Sequence, residues 1–226
     1  KNGWPAAAWF DYINLRINGL KFHQQVLTGK ISFHDQRLQN VLIEWKKLID
    51  KGFFNKDNRE LAWDEVFPKF YRDRIGFILI GNFATSKFPK RIVKEIGFMP
   101  FPKIKDIPMY EEAPMDVFMI ARNTKNLKEA EIFIKFMARA DIQSEHNTHL
   151  GYLSPNRSAT VGQYHFIQAG ANLLNQADGV TQYFDRDTLP GFDKKAVPLL
   201  AEFINNGNLQ EVTEKLEQAR KEVFLK

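Results

Sequence analysis

Residues 75–80, reading IGFILI, form a nearly unbroken apolar run rich in isoleucine that stops at Gly81 and passes into Asn82, Phe83, Ala84 and Thr85. A run of this length, closed by glycine, predicts a strand buried on both faces. In an open α/β sheet, ligands sit beyond the carboxyl ends of the strands. That rule puts Gly81, Asn82 and Phe83 at a candidate ligand cleft. Gly81 lets backbone approach closely, Asn82 offers a donor and an acceptor, and Phe83 offers a flat apolar face. These groups suit the holding of a neutral polar molecule rather than the breaking of bonds.

Around this run the chain reads mostly as helix. Pro5 suits a first helical turn, Ala8, Tyr12 and Leu15 follow helical spacing, and Gly19 ends the segment after an opening turn at residues 1–3. A short helix over residues 21–30 ends at Gly29. Asp35 caps the clearest helix, in which Leu38, Val41, Leu42, Trp45, Leu48 and Ile49 share one face and Gly52 stops the run. Residues 63–72 predict another helix, and residues 90–94 a basic helical turn. Further strands are predicted over 96–101 and 115–121, with an extended crossing between them where Pro100, Pro102 and Pro108 fall. Asn126 with Glu129 predicts a capping box. The loop GYLSPNRSA, residues 151–159, is a second crossing, and YFDRDTLP, residues 183–190, a polar aromatic loop. Residues 165–175 and the faces Val197, Leu200, Ala201, Ile204 and Leu209, Val212, Leu216, Ala219, Val223 complete the helices. Strands separated by helices make the fold class α/β.

Composition excludes several classes. The 226 residues carry 20 Phe and 4 Trp, enough aromatic surface to fill a core and also line a cleft. A net charge of +5 raises nucleic acid as a partner, but 27 acidic residues are interspersed among the 32 basic ones, so no nucleic-acid role is expected. There is no cysteine, hence no disulfide or thiolate chemistry. No apolar run reaches the ~20 residues of a membrane span, and no signal peptide is read. Lys1 in place of an initiator Met suggests a processed chain or a fragment.

Few residues suggest catalysis. Gly76 and Gly81 have the spacing of a phosphate-binding loop, but Asn82-Phe83 replaces its Lys-Ser/Thr. His146 and His149 are spaced to share a metal, against which stands a plain capping role at a helix end. Asp185 and Asp187 flank Arg186; they suit hydrogen bonds to sugar hydroxyls or a structural role, and a glycosidase would need two carboxyls roughly 5–9.5 Å apart. Trp4, in a Gly-Trp-Pro turn, could stack on a sugar ring, while Trp9, Trp45 and Trp63 read as core or structural. Glu111, Glu112 and Asp116 cluster at the first crossing, and Asp116 is the better candidate for a ligand.

Taken in order, GWPAAAWFDYINLRING, WKKLIDKGFF, GNFATSKFP, GFMPFP, YEEAPMDVFMIARNTKN, HNTHLGYLSPNRSA and YFDRDTLP resemble the solute-binding proteins of bacterial carbohydrate ABC transporters, nearest the maltose-binding class. The resemblance implies a two-lobe α/β fold of the type II periplasmic-binding-protein kind, with a sugar held between lobes that close like a hinge. It implies no enzyme and no cofactor, a carbohydrate ligand, permease subunits as partners, and a periplasmic or extracellular, membrane-anchored location. Many members carry Trp where this chain has Phe83. Most of the first lobe is absent from the match. Residues 1–107 and 152–226 would be the second lobe, and 108–151 a strand and helix returning to the first, whose missing remainder is a partner of this chain; the apolar face of residues 115–137 would be exposed unless rearranged, swapped with another copy or covered by a separate chain. The ligand-binding set is Trp4, Gly81, Asn82, Phe83, Asp116, Tyr152 and Asp185. A glycoside-processing enzyme using Asp185 or Asp187 with Asp116 or Glu112 is the alternative.

Overall fold

The computed structural model describes residues 3–58 and 60–225; the opening turn expected at Lys1 and Asn2 lies outside the described residues. The chain divides into two compact units. The first comprises Lys1–Leu79, Phe101–Pro114 and Ala177–Lys226, and the second Ile80–Pro100 and Met115–Gln176.

The first unit is built on α1 (Trp4–Leu27), which starts with Pro5 in its first turn and is broken at Gly19, where φ is 77° and ψ 174°. Only glycine adopts that conformation cheaply, so the two helical stretches expected on either side of Gly19 are both present. Asp35 caps α2 (Gln36–Asp50) by accepting from the Arg37 amide at 2.9 Å. Leu38, Val41, Leu42 and Trp45 on its inner face are fully buried. The tail supplies α8 (Pro190–Asn206) and α9 (Leu209–Phe224), joined through Gly207 in the left-handed conformation. Asn208 caps α9 by accepting from the Glu211 amide.

The core sits where these helices meet. Phe10 packs on Phe33 and Phe184, Phe33 and Phe184 on Phe192, and Trp45 edge-on against Phe203. Each such ring removed from water contributes about 1.5–3 kcal/mol. One buried ion pair pins α9 to the turn after α1. Glu217 accepts from Arg220 at 2.7 and 2.9 Å and from the Phe33 amide at 2.9 Å, and Arg220 Nη1 donates to the Gly29 carbonyl.

Strand pairing is far scarcer than expected. Among the described residues the sheet has two strands, β1 (Tyr110–Glu112) and β2 (Gly179–Thr181), paired in parallel with Glu111 opposite Val180. The strands expected over 75–80, 96–101 and 115–121 are not formed; these segments are irregular, and Phe77 is 80% exposed. Apolar composition reports a preference for burial, whereas a strand also needs a neighbouring edge for its N–H and C=O groups. Residues 63–72 contain only a single helical turn, α3 (Phe67–Phe70), and residues 90–94 form turns. Conversely the 183–190 loop holds a turn of helix, α7 (Phe184–Asp187).

The second unit contains a 3₁₀ helix (Asn82–Lys87), α4 (Leu127–Met137), α5 (Ala140–Leu150) and α6 (His165–Gln176). Its small core is Val93, Phe166 and Ile167, with Phe88 and Leu153 packed against it. The Asn126–Glu129 capping box is not made: the Asn126 side chain caps nothing, and its amide donates instead to Thr124 Oγ1. No residue of α4 is buried. Phe118 meets Phe133 edge-on, yet Val117, Phe118, Met119, Ile132 and Phe133 are all exposed, Met119 by 84%.

Candidate functional site

In the first unit three aromatic side chains from distant segments converge. Trp4 begins α1, Trp63 precedes α3 and Tyr183 caps α7. Trp4 lies 6.2 Å from Trp63 and 6.1 Å from Tyr183, ring centroid to centroid, with tilts of 56° and 40°. All three are half-buried. Trp63 is fixed from behind by Phe67, edge-on at 5.7 Å. Asp185, two residues beyond Tyr183, is exposed, and loss of solvation on its inner side raises its carboxyl above the usual range. Ring faces beside a carboxylate suit a sugar, whose C–H faces stack while its hydroxyls donate.

A buried polar layer holds this surface. Asp11 Oδ2 accepts from the Phe184 amide at 2.9 Å and so fixes the start of α7. Arg16 is buried; it pairs with Glu111 Oε1 at 2.5 Å, donates to the Phe101 carbonyl at 3.2 Å and also to that of Tyr110. The Tyr12 hydroxyl donates to Glu111 Oε2 at 3.1 Å, and its ring stacks on Phe101 at 5.0 Å. Glu112 is only 8% exposed, and both of its carboxylate oxygens, like Asp11 Oδ1, are shielded from solvent with no hydrogen-bond partner. Burial pushes Asp11 up to about 8, and burial together with the Asp11 charge raises Glu112 well above the usual carboxylate range.

In the second unit Gly81 is extended, with φ −74° and ψ 159°, and stands as the cap of the 3₁₀ helix rather than as the end of a strand. The apposition of Gly81, Asn82 and Phe83 to a ligand therefore cannot rest on the strand-end rule. Another feature bears on it: Asn82 Nδ2 is shielded from solvent and has no hydrogen-bond acceptor. A buried donor left in that state costs about 1–3 kcal/mol unless something arrives to accept from it. The turn is anchored by Thr85, whose hydroxyl donates to the Gly151 carbonyl at 3.0 Å. Gly151 ends α5 in the left-handed conformation, φ 72°. This bond brings the GNFATS turn against the GYLSPN loop, so Tyr152, which is 36% exposed, neighbours the segment of Asn82 and Phe83. Asp116 is exposed, in an irregular segment and not at the head of a strand.

Of the residues singled out from sequence, Trp4 and Asp185 belong to the first unit and Gly81, Asn82, Phe83, Asp116 and Tyr152 to the second. Trp63 and Tyr183 were missed as partners of Trp4, and so was the Asp11–Glu112 pair. Tyr183 stands two residues before the candidate Asp185 in YFDRDTLP, which is the one available hint; nothing in spacing links Trp63 to Trp4. Trp9 packs edge-on against Phe54 and Phe101 at the border of the core. Among the described residues no group of three His, Cys, Asp or Glu is placed to hold a metal ion, and no helix is long and apolar enough to cross a membrane.

Comparison with known proteins places this geometry in context. An uncharacterized ABC transporter extracellular-binding protein of Pyrococcus horikoshii is 24% identical over 172 residues, which are 74% of this chain and 37% of that protein. The bacterial solute receptor AcbH, whose structure is described with an exclusive preference for β-D-galactopyranose, superposes with a TM-score of 0.81 at 21% identity, over 98% of this chain and 58% of that one. A structure from work on xylan utilization by Caldanaerobius polysaccharolyticus gives 0.78 at 21% identity, over 96% and 58% of the two chains. A chitin oligosaccharide binding protein gives 0.78 at 16% identity, over 99% and 58%. The chain thus has the fold of these binding proteins while spanning about three fifths of their length, in keeping with a partial two-lobe architecture. Residues 1–144 match the family of bacterial extracellular solute-binding proteins. The chain is a member of the bacterial extracellular solute-binding protein family.

Proposed function

We propose that the protein is the substrate-binding component of an ABC importer and binds a sugar or oligosaccharide, which it delivers to membrane permease subunits. The observation that carries the carbohydrate reading is the three-ring surface of Trp4, Trp63 and Tyr183 beside Asp185. Three similar structures come from work on galactose, xylan and chitin oligosaccharides, which supports the same substrate class. The ligand-contacting residues are Trp4, Gly81, Asn82, Phe83, Asp116, Tyr152 and Asp185. Asn82 Nδ2 gives its unspent hydrogen bond to a ligand hydroxyl. Catalysis forms no part of this role. Its setting is the outer face of the membrane, to which the protein is anchored.

We assign residues 108–151 to a return into a first lobe, whose remaining part covers the apolar side chains of residues 115–137. The exposure of Phe118, Met119 and Phe133 supports that assignment.

The test is a thermal-shift and tryptophan-fluorescence screen of the full-length protein against mono-, di- and trisaccharides. A ligand at 100 times its Kd adds about 2.7 kcal/mol of stability, readily seen as a raised Tm. A shift with one sugar class and no hydrolysis is the expected result. Absence of any shift across the three classes sinks the carbohydrate reading.

A further inference from the structure

The three-ring surface of the first unit is set among acidic side chains. Tyr183, 6.1 Å from Trp4, stands at the start of α7, and that single turn of helix carries both Asp185 and Asp187. The next residue, Phe184, is held through its amide by the buried carboxylate of Asp11 at 2.9 Å. Trp4 and Asp11 lie about two helical turns apart on one face of α1. From another side, β1 pairs Glu112 with Thr181 of β2, just ahead of Tyr183 in the chain. The Thr181 hydroxyl donates to Asp187 at 3.5 Å.

The nearby cations do not balance this set. Arg16 is buried and bound to Glu111 and to two backbone carbonyls. Lys69 of α3 is paired with Asp57, and Lys195 of α8 with Glu222. His23, 3.8 Å from Asp11, is kept neutral by burial, which lowers its pKa to about 3. The charges that act on Tyr183 are Glu112, Asp11, Arg186 and Asp185, and those that act on Asp185 are Arg186 and Asp193. Burial raises Asp11 and Glu112, so each holds a proton more readily than an exposed carboxyl. With both protonated, Asp185, Asp187 and Asp193 still outnumber Arg186.

We infer that this surface selects among sugars by charge: it favours a sugar bearing a protonated amine and rejects one bearing a carboxylate. Such selection presupposes the sugar-binding role proposed above. An ammonium group gains from an aromatic face within about 6 Å of the ring centroid, and from the carboxylate of Asp185. A hydroxyl in the same place gains a hydrogen bond without the charge. A carboxylate meets like charge and the negative faces of the rings, a repulsive element that separates close analogues. A cation–π contact and an exposed ion pair each change affinity by a few fold, so together they give the amine an advantage of about tenfold.

The experiment measures the affinity of the full-length protein, by fluorescence titration and calorimetry, for matched sugars. One series is glucose, glucosamine and glucuronate; a second is galactose, galactosamine and galacturonate; a third is the β-1,4-linked disaccharides of glucose and of glucosamine. A pH of about 6 keeps the amine protonated and the uronate ionised. We expect the amine to bind about tenfold more tightly than its neutral parent and the uronate at least about fivefold more weakly, with both gaps shrinking as salt is added. Asp185→Asn should cut the amine-to-neutral ratio to the roughly twofold to fivefold that the rings supply, whatever it does to the neutral sugar. A uronate that binds as tightly as its neutral parent, or an amine that gains nothing, overturns the selection and leaves the sugar-binding role standing. A ratio untouched by Asp185→Asn refutes its assignment to this surface. If no sugar of any series binds, the sugar-binding role falls and the selection with it. The wild-type comparison decides the matter alone should the variant not fold.

Discussion

Replacing Glu217 by Gln tests a buried ion pair of the first unit. Burial alone would raise the Glu217 carboxyl, but hydrogen bonds from Arg220, the Phe33 amide and Ser32 outweigh it and bring the group from 4.5 down to about 2. At ~1.4 kcal/mol per pH unit, that difference corresponds to about 3 kcal/mol of stability at neutral pH. Removing one partner from a buried pair typically costs a similar ~3–5 kcal/mol. Because the folded pKa is depressed, the contribution is complete above 4.5 and disappears as pH falls through 2. About 2 kcal/mol of it is lost by pH 3. Urea titrations of both proteins at pH 7 and pH 3 measure this directly, and the exposed carboxylates that also titrate here are common to both. We expect Glu217→Gln to lose about 3 kcal/mol at pH 7 and to lie within about 1–2 kcal/mol of the wild type at pH 3. A variant that costs under ~1 kcal/mol at pH 7, or keeps the full acid dependence, refutes the assignment of that stability to the Arg220–Phe33 contacts.

Further outcomes follow from other sites. The Asn82→Ala/Phe83→Ala variant of the full-length protein should bind its sugar at least about tenfold more weakly, a loss of ~1.4 kcal/mol, by fluorescence titration with folding checked by circular dichroism. Gly151→Ala forces a left-handed residue at a cost of about 1–2 kcal/mol and drives a Cβ into Thr85 Oγ1, so it should lower both the Tm and the sugar affinity. Trp45→Ala should cost ~3–5 kcal/mol in urea unfolding, whereas Trp45→Phe should cost less than half of that, since the indole N–H it removes has no acceptor. Trp63→Ala should remove most of any ligand-induced change in Trp fluorescence while shifting the Tm far less than Trp45→Ala does.

The helical frame was legible because its signals are local. Asp35, Gly19, Gly29, Gly52 and the spacing from Leu38 to Ile49 each act within a turn or two of chain, and each did what its chemistry predicts. Strands were not legible, because pairing is decided by what lies alongside. IGFILI has the composition of a buried strand, yet its backbone has no ladder among the described residues. The candidate site falls between these cases. Asn82 and Phe83 could be picked out by residue type, and Thr85 then fixes their turn through Gly151, a contact across 66 residues that no spacing encodes. Likewise Asp11, which drew no notice in the first helix, faces Glu112 of the first crossing. Only the fold brings the two carboxyls together and shuts them from water.

The core of the first unit also dictates an order of assembly. Phe10 and Phe33 wait for Phe184 and Phe192, and Trp45 waits for Phe203, so α1 and α2 cannot bury their inner faces until the tail of the chain is made. Closing a loop of that length costs about 4–5 kcal/mol of chain entropy before the first ring contact forms. At ribosomal speeds of roughly 5–20 residues per second, the two N-terminal helices stay uncovered for on the order of ten seconds.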